Sequence, residues 1–270
     1  MPTPPRGTKV LTRKTAVLGN QRVSLLERAG SDPPVLLLHG WAASAASFTG
    51  LLSQARTQRR LVALDLPGFG ESPLGETEWT RARYAELVGD LIRDRGWEQV
   101  SLLGHSYGGG VAICVVGQGD GRADRLLLCA PSGVPVPGSA GPGGRVRTFR
   151  ALRRSAETLL PAPLSQPTVE WLRQRMGSAD YRSAGLLRPI LVRAVQEDLS
   201  PLAAKIVIQT LIVWGARDDE LPLDPYGRRL AQLISSSELV EFPGSGHFPF
   251  VDEPGRFAAV FDSFMDARLS

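Results

Sequence analysis

Three residue types that cooperate in nucleophilic catalysis occupy marked positions in this chain. A serine, Ser106, sits inside Gly104-His105-Ser106-Tyr107-Gly108. A histidine, His247, sits inside Gly244-Ser245-Gly246-His247-Phe248, and a carboxylate, Asp218 with Asp219 beside it, follows Trp214-Gly215-Ala216-Arg217. A serine hydroxyl is a poor nucleophile until a base removes its proton, and that base works best when a carboxylate orients it. The chain holds three histidines. His39 lies next to a glycine turn, and His105 lies inside the serine turn with its side chain aimed away from that of Ser106. His247 is therefore the candidate base by elimination. Asp218 is the candidate orienting acid, with Asp219 as the alternative. The plain structural readings are a glycine-rich helix start packed on a sheet and a histidine in a surface loop.

These residues need elements to hold them. Val100-Ser101-Leu102-Leu103 is a short apolar run that reads as a strand, and the small apolar residues from Gly109 to Val116 read as a buried helix. A serine at such a junction needs glycine two residues before and two after it, because the turn is too tight for side chains. Its hydroxyl is then lifted onto the rim of the sheet, beside a helix N-terminus whose free N–H groups favour negative charge. Val10–Thr15 and Arg22–Arg28 flank Gly19-Asn20 as an antiparallel opening pair. Val35–Leu38, Leu61–Leu64, Leu126–Ala130, Gln209–Trp214 and Glu238–Phe242 read as further strands. Helices are expected at Phe48–Gln54, from Thr80 to Gly96, near Tyr226–Ile234 and at Glu253–Ala267. Alternation at this spacing predicts an α/β fold: a mostly parallel sheet covered by helices on both faces, with its chemistry at the carboxyl ends of the strands.

The alternation stops between Pro131 and Gly144, where five glycines and four prolines fall within fourteen residues. Helical candidates follow at Arg145–Leu160, Thr168–Met176 and Gly185–Val195. The expected organisation is a core of residues 1–130 and 206–270, with residues 131–205 inserted as a helical cap over the serine. The 270 residues, 43% of them hydrophobic, suffice for one such domain with its insertion. The net charge of +4 is too mild for a nucleic-acid partner. It is concentrated, however: Pro131–Ser200 carries ten arginines against five acids, so a peripheral contact of the basic cap with an anionic surface is one expectation. Residues 1–9 contain no apolar signal segment, and no apolar run approaches the roughly 18 residues of a membrane span. Cys114 and Cys129 sit in apolar runs and read as buried free thiols. A cytoplasmic setting is expected, with a small-molecule substrate, no cofactor and no metal site.

Five motifs in order give the chain a resemblance to the alpha/beta-hydrolase superfamily over nearly its whole length. They are His39-Gly40-Trp41, Asp65-x-x-Gly68-x-Gly70-x-Ser72, Gly104-His105-Ser106-Tyr107-Gly108-Gly109, Trp214-Gly215-x-x-Asp218-x-x-x-Pro222 and Gly246-His247-x-Pro249-x-x-x-Glu253-Pro254. The order Ser106, Asp218, His247 is that of this superfamily's triad. Some members place the acid after the preceding strand, where this chain reads Pro131-Ser132-Gly133 and offers no carboxylate. The resemblance also implies an oxyanion hole from the backbone N–H groups of Trp41 and Tyr107. The side chains of Trp41 and Tyr107 either line the substrate pocket or merely pack; Phe248 and Trp171 are the other pocket candidates. Asp65 reads as a structural residue of its turn. A serine nucleophile argues against the haloalkane dehalogenase and epoxide hydrolase branches, which use aspartate there.

The expected activity is hydrolysis of a small to medium carboxylic ester through an acyl-enzyme. A second reading is a carbon-carbon bond hydrolase acting on an anionic vinylogous diketone. Members of that subgroup tend to carry tryptophan after the catalytic histidine, where this chain has Phe248. A third reading is a ligand-binding or accessory protein that keeps the triad with little turnover.

Overall fold

Apolar strands set the frame. In the computed structural model, which describes residues 9–75, 78–119, 121–137 and 184–267, they form one eight-stranded sheet. The strands are β1 (Leu11–Leu18), β2 (Gln21–Arg28), β3 (Ser31–Leu38), β4 (Arg59–Leu64), β5 (Val100–His105), β6 (Ala123–Cys129), β7 (Gln209–Gly215) and β8 (Ser237–Phe242), in the order β1-β2-β4-β3-β5-β6-β7-β8. β2 runs antiparallel to both β1 and β4, and the remaining pairs are parallel. The mostly parallel α/β sheet expected from the sequence is thus present.

A parallel sheet must be covered on both faces, and alternation along each strand divides its side chains accordingly. Leu36, Leu38 and Leu102 pack with Tyr84, Leu87, Val88 and Leu91 of one helix and with Val111 and Ala112 of another. Val35, Leu37 and Leu103 point the other way, to Leu51, Leu52, Phe257 and Phe261. The helices are α1 (Thr49–Gln54), α2 (Arg81–Asp94), α3 (Ser106–Gln118), α4 (Arg188–Ala194), α5 (Ser200–Ala203), α6 (Arg228–Leu233), α7 (Pro249–Asp252) and α8 (Pro254–Asp266). The Thr80 side chain caps α2 by accepting from the Arg83 N–H at 3.1 Å.

The closing helix, expected at Glu253–Ala267, is found at Pro254–Asp266, and the separate turn α7 precedes it because Glu253 stands before a proline and adopts φ −126°, ψ 61°, outside the helical region. One helix differs from expectation in its bounds. The segment near Tyr226 forms a wide turn over Leu223–Gly227 before α6 begins. Gly185–Val195 folds as a single 3-10 turn and α4. Its continuation, α5, packs on α3, so Ile190, Ala194, Leu199 and Ala203 are buried with the core. The candidates at Arg145–Leu160 and Thr168–Met176 lie outside the described residues. Among the described residues, no helix is long and apolar enough to cross a membrane.

The junction of β5 with α3 is the tightest part of the frame. A Cβ on Gly108 would lie 2.4 Å from the carbonyl oxygens of both Leu38 and His39. Gly108→Ala is therefore expected to lower stability by about 1–3 kcal/mol through overpacking. Gly255→Ala, at a helical position with open space around it, should be neutral or stabilising by up to about 1 kcal/mol. Urea unfolding midpoints of the two variants check this contrast.

Candidate functional site

The serine turn departs from ordinary backbone geometry. Ser106 has φ +50°, a conformation that costs a non-glycine residue free energy and persists only where the surroundings enforce it. Those surroundings are visible. A Cβ on Gly104 would lie 2.6 Å from Gly109 Cα, and one on Gly40 would lie 3.3 Å from Ser106 Cβ. The end of β3, the end of β5 and the start of α3 are thus pressed together around a half-buried serine. The Ser106 carbonyl accepts from the Ser132 N–H at 2.9 Å, which ties the turn to the segment leaving β6.

The histidine loop is held from several directions. Gly215 packs so closely on it that a Cβ there would lie 2.0 Å from the Gly246 carbonyl oxygen, and Arg217 N–H donates to the Ser245 carbonyl at 2.9 Å. Glu253 accepts from Gly244 N–H at 3.0 Å and from the Ser245 hydroxyl at 2.8 Å. Asp252 accepts from Gly246 N–H at 2.8 Å. The bonds from Ser245 and Gly244 hold the Glu253 carboxyl below its usual range, with the Ser245 hydroxyl the larger influence.

His247 Nδ1–H donates to Asp218 Oδ2 at 2.7 Å. The other carboxylate oxygen, Oδ1, accepts from the N–H groups of Glu220 at 2.9 Å and Leu221 at 2.8 Å. Asp218 is only 3% exposed, so its orientation is fixed by three bonds in a buried setting. Asp219 is exposed and takes no part in this arrangement. Of the two aspartates, Asp218 is the one bonded to His247. At the other candidate position for an acid, the Ser132 hydroxyl accepts from Arg81 at 2.9 Å.

The other two histidines are engaged elsewhere. His39 Nδ1–H donates to the Gly40 carbonyl at 2.8 Å, while Nε2 accepts from the Leu66 N–H at 3.1 Å. Burial lowers its pKa. His105 Nε2–H donates to the His247 carbonyl at 2.9 Å, and its ring packs 5.0 Å from that of Phe250. This side chain, read from the sequence only as pointing away from Ser106, connects the serine turn to the histidine loop. Among the described residues, no hydrogen bond links Ser106 Oγ to His247; the His247 Nε2 stands 4.0 Å from the exposed Glu220 carboxylate. Glu220 was not singled out in the sequence, and its place two residues beyond Asp218 is the only signal for it.

Tyr107 is the second residue of α3, so its N–H has no acceptor within the helix. The Trp41 N–H, just past the strand end that abuts Ser106, bonds to none of the described residues. The Tyr107 side chain is 3% exposed, wedged between Tyr84 and Trp41, with ring centroids at 5.9 and 5.5 Å. It belongs to the packed interior. Trp41 is half-buried and also meets Phe69 at 5.1 Å. Phe248 is exposed, with its ring 5.2 Å from that of His247. Trp171 lies outside the described residues, as do eight of the ten insertion arginines. Asp65 is fully buried: Oδ1 accepts from Ala45 N–H at 2.7 Å, and Oδ2 accepts from Glu71 N–H at 3.1 Å and pairs with Arg13 at 2.7 Å. These contacts suit the structural role read for it. Cys114 and Cys129 are buried free thiols, and burial pushes Cys114 up to about 12.

His105 makes stability depend on pH. Burial, and then the neighbouring His247, lower its pKa to about 3 from the ordinary 6.5. Between those values the unfolded chain binds a proton that the folded protein refuses, so stability falls as pH drops through this window, by on the order of 1 kcal/mol per pH unit. Urea unfolding at pH 7 and pH 5 should show this loss, and His105→Gln should make the slope shallower. An unchanged slope would contradict it.

A model of the alpha/beta hydrolase family matches residues 35–260. An uncharacterized protein of Mycobacterium tuberculosis is 30% identical over 267 residues, covering 88% of this chain and 76% of that protein. The pimeloyl-(acyl-carrier protein) methyl ester esterase of Chromobacterium violaceum is 27% identical over 258 residues, covering 90% of this chain and 98% of its own. Among solved structures, an esterase from Exiguobacterium antarcticum superposes with a TM-score of 0.74 at 22% identity, over 95% of this chain and 100% of that one.

Proposed function

Because the chain belongs to the alpha/beta hydrolase family, we propose that it hydrolyses carboxylic esters through an acyl-enzyme built on Ser106. The observation that carries this reading is the 2.7 Å bond from His247 Nδ1 to a buried Asp218 whose second oxygen is held by two backbone N–H groups. That bond fixes the imidazole tautomer with its lone pair on Nε2, the form a general base requires.

In the proposed reaction Ser106 Oγ attacks the ester carbonyl carbon while His247 Nε2 takes the hydroxyl proton. The tetrahedral oxyanion is received by the N–H groups of Trp41 and Tyr107, and each such donor is worth about 3 to 4 kcal/mol of barrier. His247 then gives its proton to the departing alkoxide and the alcohol leaves. Water repeats the sequence on the acyl-enzyme, releasing the acid and restoring Ser106. The hydrogen bond between Ser106 and His247 forms as substrate closes the site, as is common for catalytic pairs that are loose without ligand.

The substrate we assign is a small to medium neutral ester. Half-buried Trp41 and exposed Phe248 provide apolar contact near the reacting groups. The Glu220 carboxylate 4.0 Å from His247 Nε2 disfavours an anionic substrate at that position, which weighs against the diketone reading. Residues 131–205 act as the cap in this account, supported by Leu187, whose side chain reaches the Gly68 turn.

p-Nitrophenyl esters of increasing chain length, assayed beside an anionic dienone acid, test the proposal. Ser106→Ala is expected to lower kcat by about 10⁴- to 10⁶-fold, and Asp218→Asn by about 10⁴-fold. Ester turnover unaffected by Ser106→Ala would overturn the assignment. Cleavage of the dienone acid alone would replace ester hydrolysis with carbon-carbon bond hydrolysis.

A further inference from the structure

Arg81, the first residue of α2, carries a guanidinium that is almost wholly enclosed, and nothing in the triad requires it. Burying such a charge costs several kcal/mol unless its partners are well placed, and an apolar residue of similar volume is often no less stable. Its partners lie on three separate parts of the chain. Nη1 donates to Glu197 Oε2 at 2.6 Å and to the Ala194 carbonyl at 2.7 Å, both on the segment leading back toward β7. Nη2 donates to the Ser132 hydroxyl at 2.9 Å, on the segment leaving β6. Its Cζ lies over the Tyr107 ring, 4.9 Å from the ring centroid.

Ser132 extends the chain of contacts to the nucleophile turn, since its N–H is the donor to the Ser106 carbonyl. The two segments are also joined directly, by Leu199 N–H donating to the Gly133 carbonyl at 2.8 Å. Space is reserved for the cation: a Cβ on Gly110 would lie 2.5 Å from Arg81 Nε. One side chain therefore touches the departing segment, the returning segment and the residue whose N–H is the proposed oxyanion donor.

We infer that Arg81 is a positioning residue, which holds the Ser106–Tyr107 turn in register with the two stems of the 131–205 insertion. Arginine suits the task because its rigid planar fork carries five donors and serves acceptors in different directions while its charge sits over an aromatic ring, whereas lysine has a single ammonium on a flexible stem. Loosening this hold displaces the nucleophile and its oxyanion donor together. The inference rests on the hydrolase reading for its kinetic consequence only.

The test compares wild type, Arg81→Met, Arg81→Lys and Ser132→Ala, with Ser106→Ala as the inactive control. For p-nitrophenyl acetate, Arg81→Met is expected to lower kcat by about 10- to 100-fold, as a displacement near 1 Å would, with KM changed by less than about threefold. Arg81→Lys should recover part of the loss. A purely structural arginine would instead lower the unfolding midpoint and leave kcat per folded active site at the wild-type value, and that result overturns the inference. If Arg81→Met does not fold, Ser132→Ala decides: a several-fold lower kcat supports the coupling and an unchanged one overturns it. Amide hydrogen exchange provides a readout independent of turnover. Folded Arg81 or Ser132 variants should lose protection at the Ser132 amide, which bonds to the Ser106 carbonyl, and at the Leu199 amide together, and loss confined to one of them overturns the inference. A wild type that turns over no ester sinks the hydrolase reading, and the exchange data then judge the coupling alone.

Discussion

Close contact of backbone with backbone at the end of β5 is the constraint on which the rest of the molecule depends. Gly104 and Gly108 let α3 start against the carbonyls of Leu38 and His39, and no residue with a side chain fits at either place. The positive φ of Ser106 follows from that approach. Beside it, two backbone N–H groups have no acceptor among the described residues, one in the first turn of α3 and one in the chain leaving β3. The sheet supplies the rigidity to sustain this strain: β3, β5 and β6 are central strands, parallel to both neighbours, with apolar cover on both faces.

Around that fixed point the remaining groups are placed by loops, and each loop is secured by its own acceptors. The carboxylates of Asp252 and Glu253 bind the N–H groups of the glycine-rich loop that carries His247. His105 joins the same loop to the serine turn through a single buried hydrogen bond. Asp218 uses one oxygen for the backbone that follows it and the other for His247. The arrangement is consistent with chemistry at the carboxyl edge of an α/β sheet, where loops vary while the strands stay fixed.

Much of this was legible in the residues themselves. Short apolar runs bounded by glycine or proline mark strands that are buried on both faces, and the helical spacing of Tyr84, Leu87, Val88, Leu91 and Ile92 marks α2. The glycines flanking Ser106 announce the turn, since only a close approach demands two of them. Less could be read where partners are distant in sequence. Nothing local distinguishes Asp218 from Asp219; the distinction lies in which side chain turns inward toward a loop about thirty residues away. The bond of His105 to the His247 carbonyl spans 142 positions and leaves no pattern in the chain. Arg81 reads as an ordinary helix-start arginine until the segments around Ser132 and Glu197 close over it.

The central claim is that Ser106, held in its strained turn, becomes the acyl-carrying atom during turnover. Rapid quenching of the protein with an activated ester, followed by peptide mass mapping, observes that event directly. The account predicts one acyl group per chain, located on the peptide containing Ser106, appearing within the initial burst and lost as hydrolysis proceeds. Ester turnover with the acyl group on a different residue, or with no covalent adduct despite a measured burst, would contradict it.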